Sequence, residues 1–175
     1  MSFFETVLGQ HQVKEQITTL IRDSALPHSL LLYGETGLES TSMAIAIGSL
    51  LVGRQIFSPD EGRTFLSTIE QQRIESGESE SAVKDKGLPI YIDQGQAFWI
   101  RPMKTQLSVE QWYTLLEKYI NVSSDIPRVV IVEGFQTANT VLANAMLKTI
   151  EEPPRNMHFI IVTTNIDNVL PTIVS

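Results

Sequence analysis

Apolar residues along this chain follow two alternating rhythms. Over residues 10–24 they recur at helical spacing. Val13, Ile17, Leu20 and Ile21 lie at i, i+4, i+7 and i+8, one face of an amphipathic helix that Pro27 closes. Ser29-Leu30-Leu31-Leu32-Tyr33 is then apolar without a break, as a strand buried on both faces is. It runs into the glycine-punctuated turn Gly34-Glu35-Thr36-Gly37. Residues 41–52 return to the helical rhythm, with Ala44, Ile47 and Leu51 on one stripe and Met43 and Leu50 beside it. A helix this apolar packs on more than one side.

The alternation resumes further on. Pro89-Ile90-Tyr91-Ile92 predicts a second strand, and Phe98-Trp99-Ile100 a further short one ended by Pro102. Residues 108–120 predict a helix whose apolar face is Val109, Trp112, Leu115, Leu116 and Tyr119. Ser108 and Gln111 have the spacing of a capping box, in which each side chain accepts from the other's backbone N–H. Residues 129–132 predict a third strand, 140–150 a helix stopped by Pro153-Pro154, and 159–162 a fourth strand leading into Thr163-Thr164-Asn165. Residues 54–88 commit to less: a surface helix over 65–74 and a polar loop over 76–87 with almost nothing to bury. Short all-apolar strands alternating with helices imply an α/β fold, a parallel sheet covered on both faces. There is no internal repeat.

Composition narrows the class. At 175 residues, 42% hydrophobic and 19% charged, the chain suits one globular domain, or one domain and part of another. A formal charge of −7 argues against holding nucleic acid by bulk attraction. The absence of cysteine excludes disulfides, thiolate zinc sites and a cysteine nucleophile, and fits a reducing, cytoplasmic setting. His11, His28 and His158 lack metal-ligand spacing, so no metal site is expected. No apolar run approaches the ~18 residues that span a membrane. Met1-Ser2-Phe3-Phe4-Glu5 has no basic region before an apolar segment and does not read as a signal peptide.

In such sheets ligands bind at the carboxyl ends of the strands. The first strand ends in Gly34-Glu35-Thr36-Gly37-Leu38-Glu39-Ser40-Thr41, to be set against the phosphate loop G-x-x-x-x-G-K-[ST]. Gly34 matches the first glycine and Thr41 the magnesium-binding hydroxyl. Glu39 stands at the second glycine and Ser40 at the lysine. Two unit charges about 4 Å apart interact by about 4 kcal/mol at an effective dielectric of roughly 20. Losing the lysine, or adding an inward-facing Glu39, therefore costs roughly a thousandfold in nucleotide affinity. The third strand ends in Val132-Glu133-Gly134-Phe135, where working nucleotidases keep acids for magnesium and water. Only Glu133 remains, and Gly134 has no side chain. Trp112 is in phase with a core face. Trp99, followed by Ile100-Arg101-Pro102, reads as more open and is a candidate platform for a base.

The stretch Leu142-Ala143-Asn144-Ala145-Met146-Leu147-Lys148-Thr149-Ile150-Glu151-Glu152-Pro153-Pro154 is similar to the N-A-L-L-K-x-L-E-E-P-P segment of bacterial clamp-loader subunits. Val7-Leu8-Gly9-Gln10, Pro27-His28-Ser29, Arg128-Val129-Val130-Ile131-Val132 and Pro171-Thr172-Ile173-Val174-Ser175 fall in the family's order, so the match covers nearly the whole chain. With its altered phosphate loop, the chain resembles the N-terminal AAA+ module of delta-prime subunits of the bacterial DNA polymerase III clamp loader.

The resemblance implies a P-loop AAA+ fold, three layers with a parallel sheet ordered 5-1-4-3-2. It implies a structural subunit that does not hydrolyse ATP. Such a subunit works with gamma/tau and delta subunits in a ring that opens a sliding clamp and closes it on primed DNA. ATP binding is expected to be weak or absent, with no zinc and no catalytic residue. Delta-prime-like members lend a neighbour's ATP site the arginine of a serine-arginine-cysteine motif. Ser175 matches the serine just before that arginine, so a fragment lacking the arginine and the fifth strand is expected. Leu30, Leu31 and Leu32 would then lie on an open edge, through which the fragment self-associates. The family's four-cysteine zinc module is replaced at 54–88 by a cysteine-free insert. Thr164 or Asn165 falls at the family's γ-phosphate sensor. Lys148, Glu151, Glu152 and Ser175 are candidate partner contacts. Lys148 suits a helix C-terminus, whereas Glu151 and Glu152 are disfavoured there and are expected to have partners. Two alternatives remain: a gamma/tau-like AAA+ module that binds or hydrolyses ATP, and an AAA+ partner-binding domain outside replication.

Overall fold

A strand that is apolar at every position must be covered above and below, and the chain meets that demand with one sheet between two helical layers. In the computed structural model, residues 3–35, 37–57, 75–77, 90–102 and 105–167 are described. The expected helix at 65–74, nearly all of the loop at 76–87 and the ending at 171–175 lie outside them. The strands are β1 (Ser29–Tyr33), β2 (Ile90–Asp93), β3 (Ala97–Ile100), β4 (Arg128–Val132) and β5 (Met157–Thr163). Their order is β1-β5-β4-β3-β2. β1, β5, β4 and β3 are parallel, with Leu31 opposite Ile161, Ile131 opposite Ile160 and Trp99 opposite Ile131.

Alternation along each strand sends side chains to two cores. On one face Ile131, Ile160 and Val162 pack with Ile17 of α1 (His11–Arg22) and Ala44 and Ile47 of α2 (Gly37–Val52). On the other, Val130, Val132, Phe159 and Ile161 pack with Trp112 and Leu115 of α3 (Val109–Leu115) and Leu142 and Met146 of α4 (Thr140–Glu151). The three-layer α/β arrangement is the one expected, and the sheet order is the expected 1-4-3-2 with an added edge strand.

That added strand corrects one expectation. The segment 89–92 does not take the second place in a parallel sheet. β2 pairs antiparallel with β3, Ile90 opposite Ile100, and it is β3 that lies beside β4. The three-residue turn between them, 94–96, puts Gln94 (φ 49°) and Gly95 (φ 70°) in the left-handed region, and Gln96 N–H donates to Asp93 O at 3.0 Å. β1 has one strand neighbour among the described residues, and its first four residues are only half-buried.

The helix expected over 108–120 is α-helical only to Leu115. Its capping box forms, with Ser108 N–H donating to Gln111 Oε1 (2.8 Å) and Glu110 N–H to Ser108 Oγ (3.1 Å). Leu116–Ile120 then widens into a π turn, closed by Asn121 N–H on Leu116 O at 3.0 Å. The wider turn brings Leu115 and Ile120, five residues apart and both fully buried, onto the core side. The buried Arg128 guanidinium donates through Nη1 to Tyr119 O (2.7 Å), taking one carbonyl of this turn, and burial draws its pKa below the usual arginine value. α4 starts at an Asn139 side chain that accepts from Leu142 N–H at 2.9 Å.

Two contacts test the packing. A Cβ at Gly48 of α2 would lie 2.7 Å from Ile56 Cδ1 and 3.2 Å from Val129 Cγ1, and both neighbours are fully buried. Helix propensity favours alanine by about 1 kcal/mol, but overpacking costs about 1–3 kcal/mol. Gly48→Ala should lower stability by about 1 kcal/mol in urea titration. The second contact is the stack of His28 on His158, ring centroids 5.3 Å apart, with the His158 Nδ1 buried and without a hydrogen-bond partner among the described residues. Desolvation, then the charge of His28, lowers the His158 pKa below its ordinary value. The unfolded chain therefore binds the proton first, so stability is full above about pH 6.5 and falls as the pH drops toward the folded value. Melting temperatures should decline from pH 7.5 to pH 5.5 more steeply for the native chain than for His158→Leu.

Candidate functional site

The carboxyl ends of β1, β5, β4 and β3 share one edge of the sheet, because those strands are parallel. Side chains predicted to matter from two distant segments, 34–41 and 133–134, are thus brought to that edge. A third group, Thr164 and Asn165, follows β5 there. Lys148, Glu151 and Glu152 lie elsewhere, at the C-terminal end of α4, and Ser175 is outside the described residues.

The chain leaves β1 at Gly34, whose N–H donates to Thr163 O at 3.3 Å, and enters α2 at Gly37. The helix begins four residues earlier than the range 41–52 read from the sequence. Ser40 and Thr41 are both 8% exposed, whereas Glu39 is exposed. Glu39 sits in the first turn of α2, where the positive end of the helix favours a carboxylate. Its repulsion of an incoming phosphate is consequently screened by water, and the missing lysine carries the electrostatic argument. Beside this turn is a cavity of 280 Å³. Val7, Val13, Leu31, Leu32 and Met43 give it apolar walls, and Gln10, Ser40 and Glu39 supply polar atoms. Among the described residues, none of the side chains that wall it is a cation. Thr41 Oγ1 is buried with no hydrogen-bond partner among the described residues, the one feature in keeping with a magnesium ligand.

At the end of β4, Glu133 is committed to its neighbours. Its Oε2 accepts from Trp99 Nε1 at 2.8 Å and pairs with Arg101 Nε at 3.1 Å. The Arg101 guanidinium also lies over the Trp99 ring, 5.1 Å from its centroid. Hydrogen bonds to a charged group contribute about 1.5–3 kcal/mol each, less where water competes, and Arg101 is 48% exposed. Trp99 is therefore not an open platform for a base. Arg101 covers one face, and Phe57 and Tyr91 pack against the ring at 5.5 and 5.6 Å. The sequence suggested an edge there; the hairpin with β2 puts Trp99 inside the sheet.

Gly134 follows in a left-handed conformation, φ 74°, at the start of a 3-10 turn, Phe135–Thr137. A Cβ there would lie 2.5 Å from Pro102 Cγ and 2.9 Å from Cδ. The second acid is thus absent from the sequence and also excluded by the backbone. The corner is fixed from several sides. Gln111 Nε2 donates to Arg101 O (2.7 Å), and Thr137 Oγ1 donates to Gly134 O (2.7 Å) while accepting from Leu107 N–H (3.0 Å). Gln136 Oε1 accepts from Thr164 N–H (3.2 Å) and Thr163 Oγ1 (3.4 Å). The sensor-like strand end is tied to this turn through Thr163 and the Thr164 backbone. Asn165 Oδ1 accepts locally, from Asp167 N–H at 2.9 Å.

Lys148 is exposed in the last turn of α4, as its charge favours. Glu151 and Glu152 are also exposed, and neither forms an ion pair with a described residue. At the root of the 54–88 insert the sequence showed no chemistry, yet the structure places a buried clamp there. Arg54 Nη1 pairs with Asp93 Oδ1 at 2.9 Å, and Asp93 Oδ2 accepts from Phe57 N–H at 2.8 Å. No group of three or more potential metal ligands gathers among the described residues. No helix among them is long and apolar enough to cross a membrane.

Comparison with known proteins places these features in context. Residues 9–175 match the sequence model of the family described as DNA polymerase III, delta subunit. Two curated relatives are named DNA polymerase III subunit gamma. The one from Buchnera aphidicola of Acyrthosiphon pisum is 23% identical over 99% of this chain and 43% of its own length. The one from Buchnera aphidicola of Baizongia pistaciae is 22% identical over 98% of this chain and 42% of its own. The chain thus spans less than half the length of the curated relatives it matches. A crystal structure of a DNA polymerase III gamma subunit-related protein from Thermotoga maritima shares the fold, with TM-score 0.60 and 19% identity over 91% of this chain and 43% of that one.

The Gly134 corner gives a direct test. Restoring an acid with Gly134→Asp should destabilise the chain by about 2 kcal/mol or more, from left-handed strain and the Pro102 contact. Urea unfolding of Gly134→Asp against Gly134→Asn checks it. Asparagine has nearly the same shape and tolerates positive φ, so a similar loss in both assigns the cost to shape, and a loss confined to aspartate assigns it to charge.

Proposed function

The chain belongs to the DNA polymerase III delta-subunit family, and from that premise we propose that it is a non-hydrolysing AAA+ module of a replicative clamp loader. In this reading it is a delta-prime-type accessory subunit of the polymerase holoenzyme. It contributes shape and contact surface to a ring with gamma/tau-type and delta-type neighbours, and the ring acts on a sliding clamp and primed DNA. The observation that carries the reading is the missing cation at the phosphate turn. Ser40 stands where a lysine must face the β- and γ-phosphates, and among the described residues no other side chain walling the cavity supplies a positive charge. The residues present do not fit a magnesium-bound triphosphate, and no catalytic step is routed through one. The single acid and the left-handed glycine ending β4 support the same conclusion.

A second reading has one specific support. Thr41 keeps the magnesium-binding hydroxyl, buried and unpartnered among the described residues, and the two curated relatives are gamma subunits. On that reading the module binds nucleotide weakly without turnover. The acidic 54–88 insert takes the place of a zinc module in either case. The outer edge of β1, with no strand neighbour among the described residues, is the surface through which the isolated chain would self-associate.

The chain alone should release no phosphate from ATP above background. Glu39→Gly with Ser40→Lys should raise ATP affinity at least tenfold, about 1.4 kcal/mol. Micromolar binding with turnover by the native chain would contradict the reading. Mixing the full-length protein with gamma and delta subunits should give one stoichiometric complex in size-exclusion chromatography. Failure to assemble would favour a partner-binding role outside replication.

A further inference from the structure

We infer that Trp99 and Arg101 are positioning residues that hold the Glu133 carboxylate away from the phosphate turn, so that the second motif is closed by contact as well as by substitution. The inference rests on the reading of the chain as non-hydrolysing and supplies a second, independent block to nucleotide chemistry.

The sheet order sets the geometry. The phosphate turn follows β1, β5 lies next, and Glu133 ends β4. A carboxylate serving that turn must lean across β5. Trp99 and Arg101 belong to β3 and the residue after it, on the opposite side of β4. Both donate to the same oxygen, Oε2, at 2.8 and 3.1 Å, and draw it toward β3. Strand alternation puts Trp99, Arg101 and Glu133 on the sheet face that also packs α2, so no barrier of backbone separates Glu133 from the turn. What separates them is this pair of donors.

The donors are themselves held. Phe57 and Tyr91 pack on the Trp99 ring, which fixes the indole N–H direction. The Arg101 backbone is anchored by Gln111 Nε2, and its guanidinium rests on the same indole. Pro102, the next residue, packs beneath Gly134. The clamp is therefore built into the β3–β4 corner, with the packed Trp99 indole as its fixed donor and the half-exposed Arg101 as the second. Its chemistry is that of an acid already supplied with two donors, one cationic, which leaves little call for a hydrated magnesium ion at that oxygen.

Two measurements decide it. In the ¹⁵N-labelled chain the Trp99 indole N–H is assigned by its disappearance in Trp99→Phe. Glu133→Ala should speed its exchange with deuterium at least tenfold while leaving Trp112 unchanged; an unchanged rate overturns the clamp. The second uses the Glu39→Gly, Ser40→Lys chain and a fluorescent ATP analogue. With the clamp intact, magnesium should alter the affinity less than twofold. Adding Arg101→Ala and Trp99→Phe should let magnesium tighten binding at least fivefold, and Glu133→Ala should then abolish that gain. A magnesium effect that is already present with the clamp intact and lost in Glu133→Ala overturns the inference, as does no magnesium effect once the clamp is cut. If the restored turn fails to bind the analogue at all, the account of the phosphate turn is what fails, and the indole exchange still decides the clamp.

Discussion

The parallel pairing of β5 with β4 is the constraint on which the rest depends. Phe159, Ile160 and Ile161 are opposite Val130, Ile131 and Val132, and every one of these side chains is almost wholly removed from water. Fully burying one such side chain contributes about 1.5–3 kcal/mol relative to exposure. Because β1, β5, β4 and β3 run the same way, burial on both faces forces helices onto both faces, and the carboxyl ends of these four strands onto one edge. The edge that results is a ligand-binding architecture whatever its side chains are. Function then turns on what the chain places there.

What it places there favours rigidity over phosphate chemistry. The turn after β1 has a serine for a cation, and its glutamate faces water at the start of α2. The corner after β4 uses its remaining acid as a hydrogen-bond acceptor within the sheet and its glycine as a hinge against Pro102. Gln136 ties the end of β5 into the same corner. These groups satisfy one another, which lowers the cost of burying them and leaves few free to meet a ligand. A motor subunit needs the opposite arrangement, with charged groups kept available for magnesium and phosphate. In the proposed function this edge belongs to a scaffold within a ring.

Much of the fold was legible because it rests on periodicity. β1 falls where its uninterrupted apolar run does, and β4 and β5 extend their runs by one and three residues. The Ser108–Gln111 capping box forms as its spacing implies. The hairpin was missed although its signal was present: Asp93-Gln94-Gly95-Gln96 is a turn sequence between two apolar runs, and reading both runs as parts of a parallel pattern hid it. The π turn was not legible, since it follows from where Leu115 and Ile120 must be buried and from Arg128 taking the Tyr119 carbonyl. At the site, substitutions at 39, 40 and 134 were visible as departures from a motif. The exposure of Glu39, the left-handed φ of Gly134, the stacked His28 and His158 and the clamp on Glu133 were not. Each depends on register between segments far apart in sequence, such as Trp99 beside Ile131, which no single-segment pattern encodes.

The central claim is that the carboxyl edge of this sheet has no seat for a magnesium-bound triphosphate. The most direct measurement is a crystal structure of the chain grown or soaked with millimolar ATP and magnesium. The account predicts no ordered triphosphate against Ser40 and Thr41, with Glu133 still bonded to Trp99 and Arg101. A triphosphate resting on that turn, its magnesium on the Thr41 hydroxyl and Glu133 swung toward it, would contradict the account.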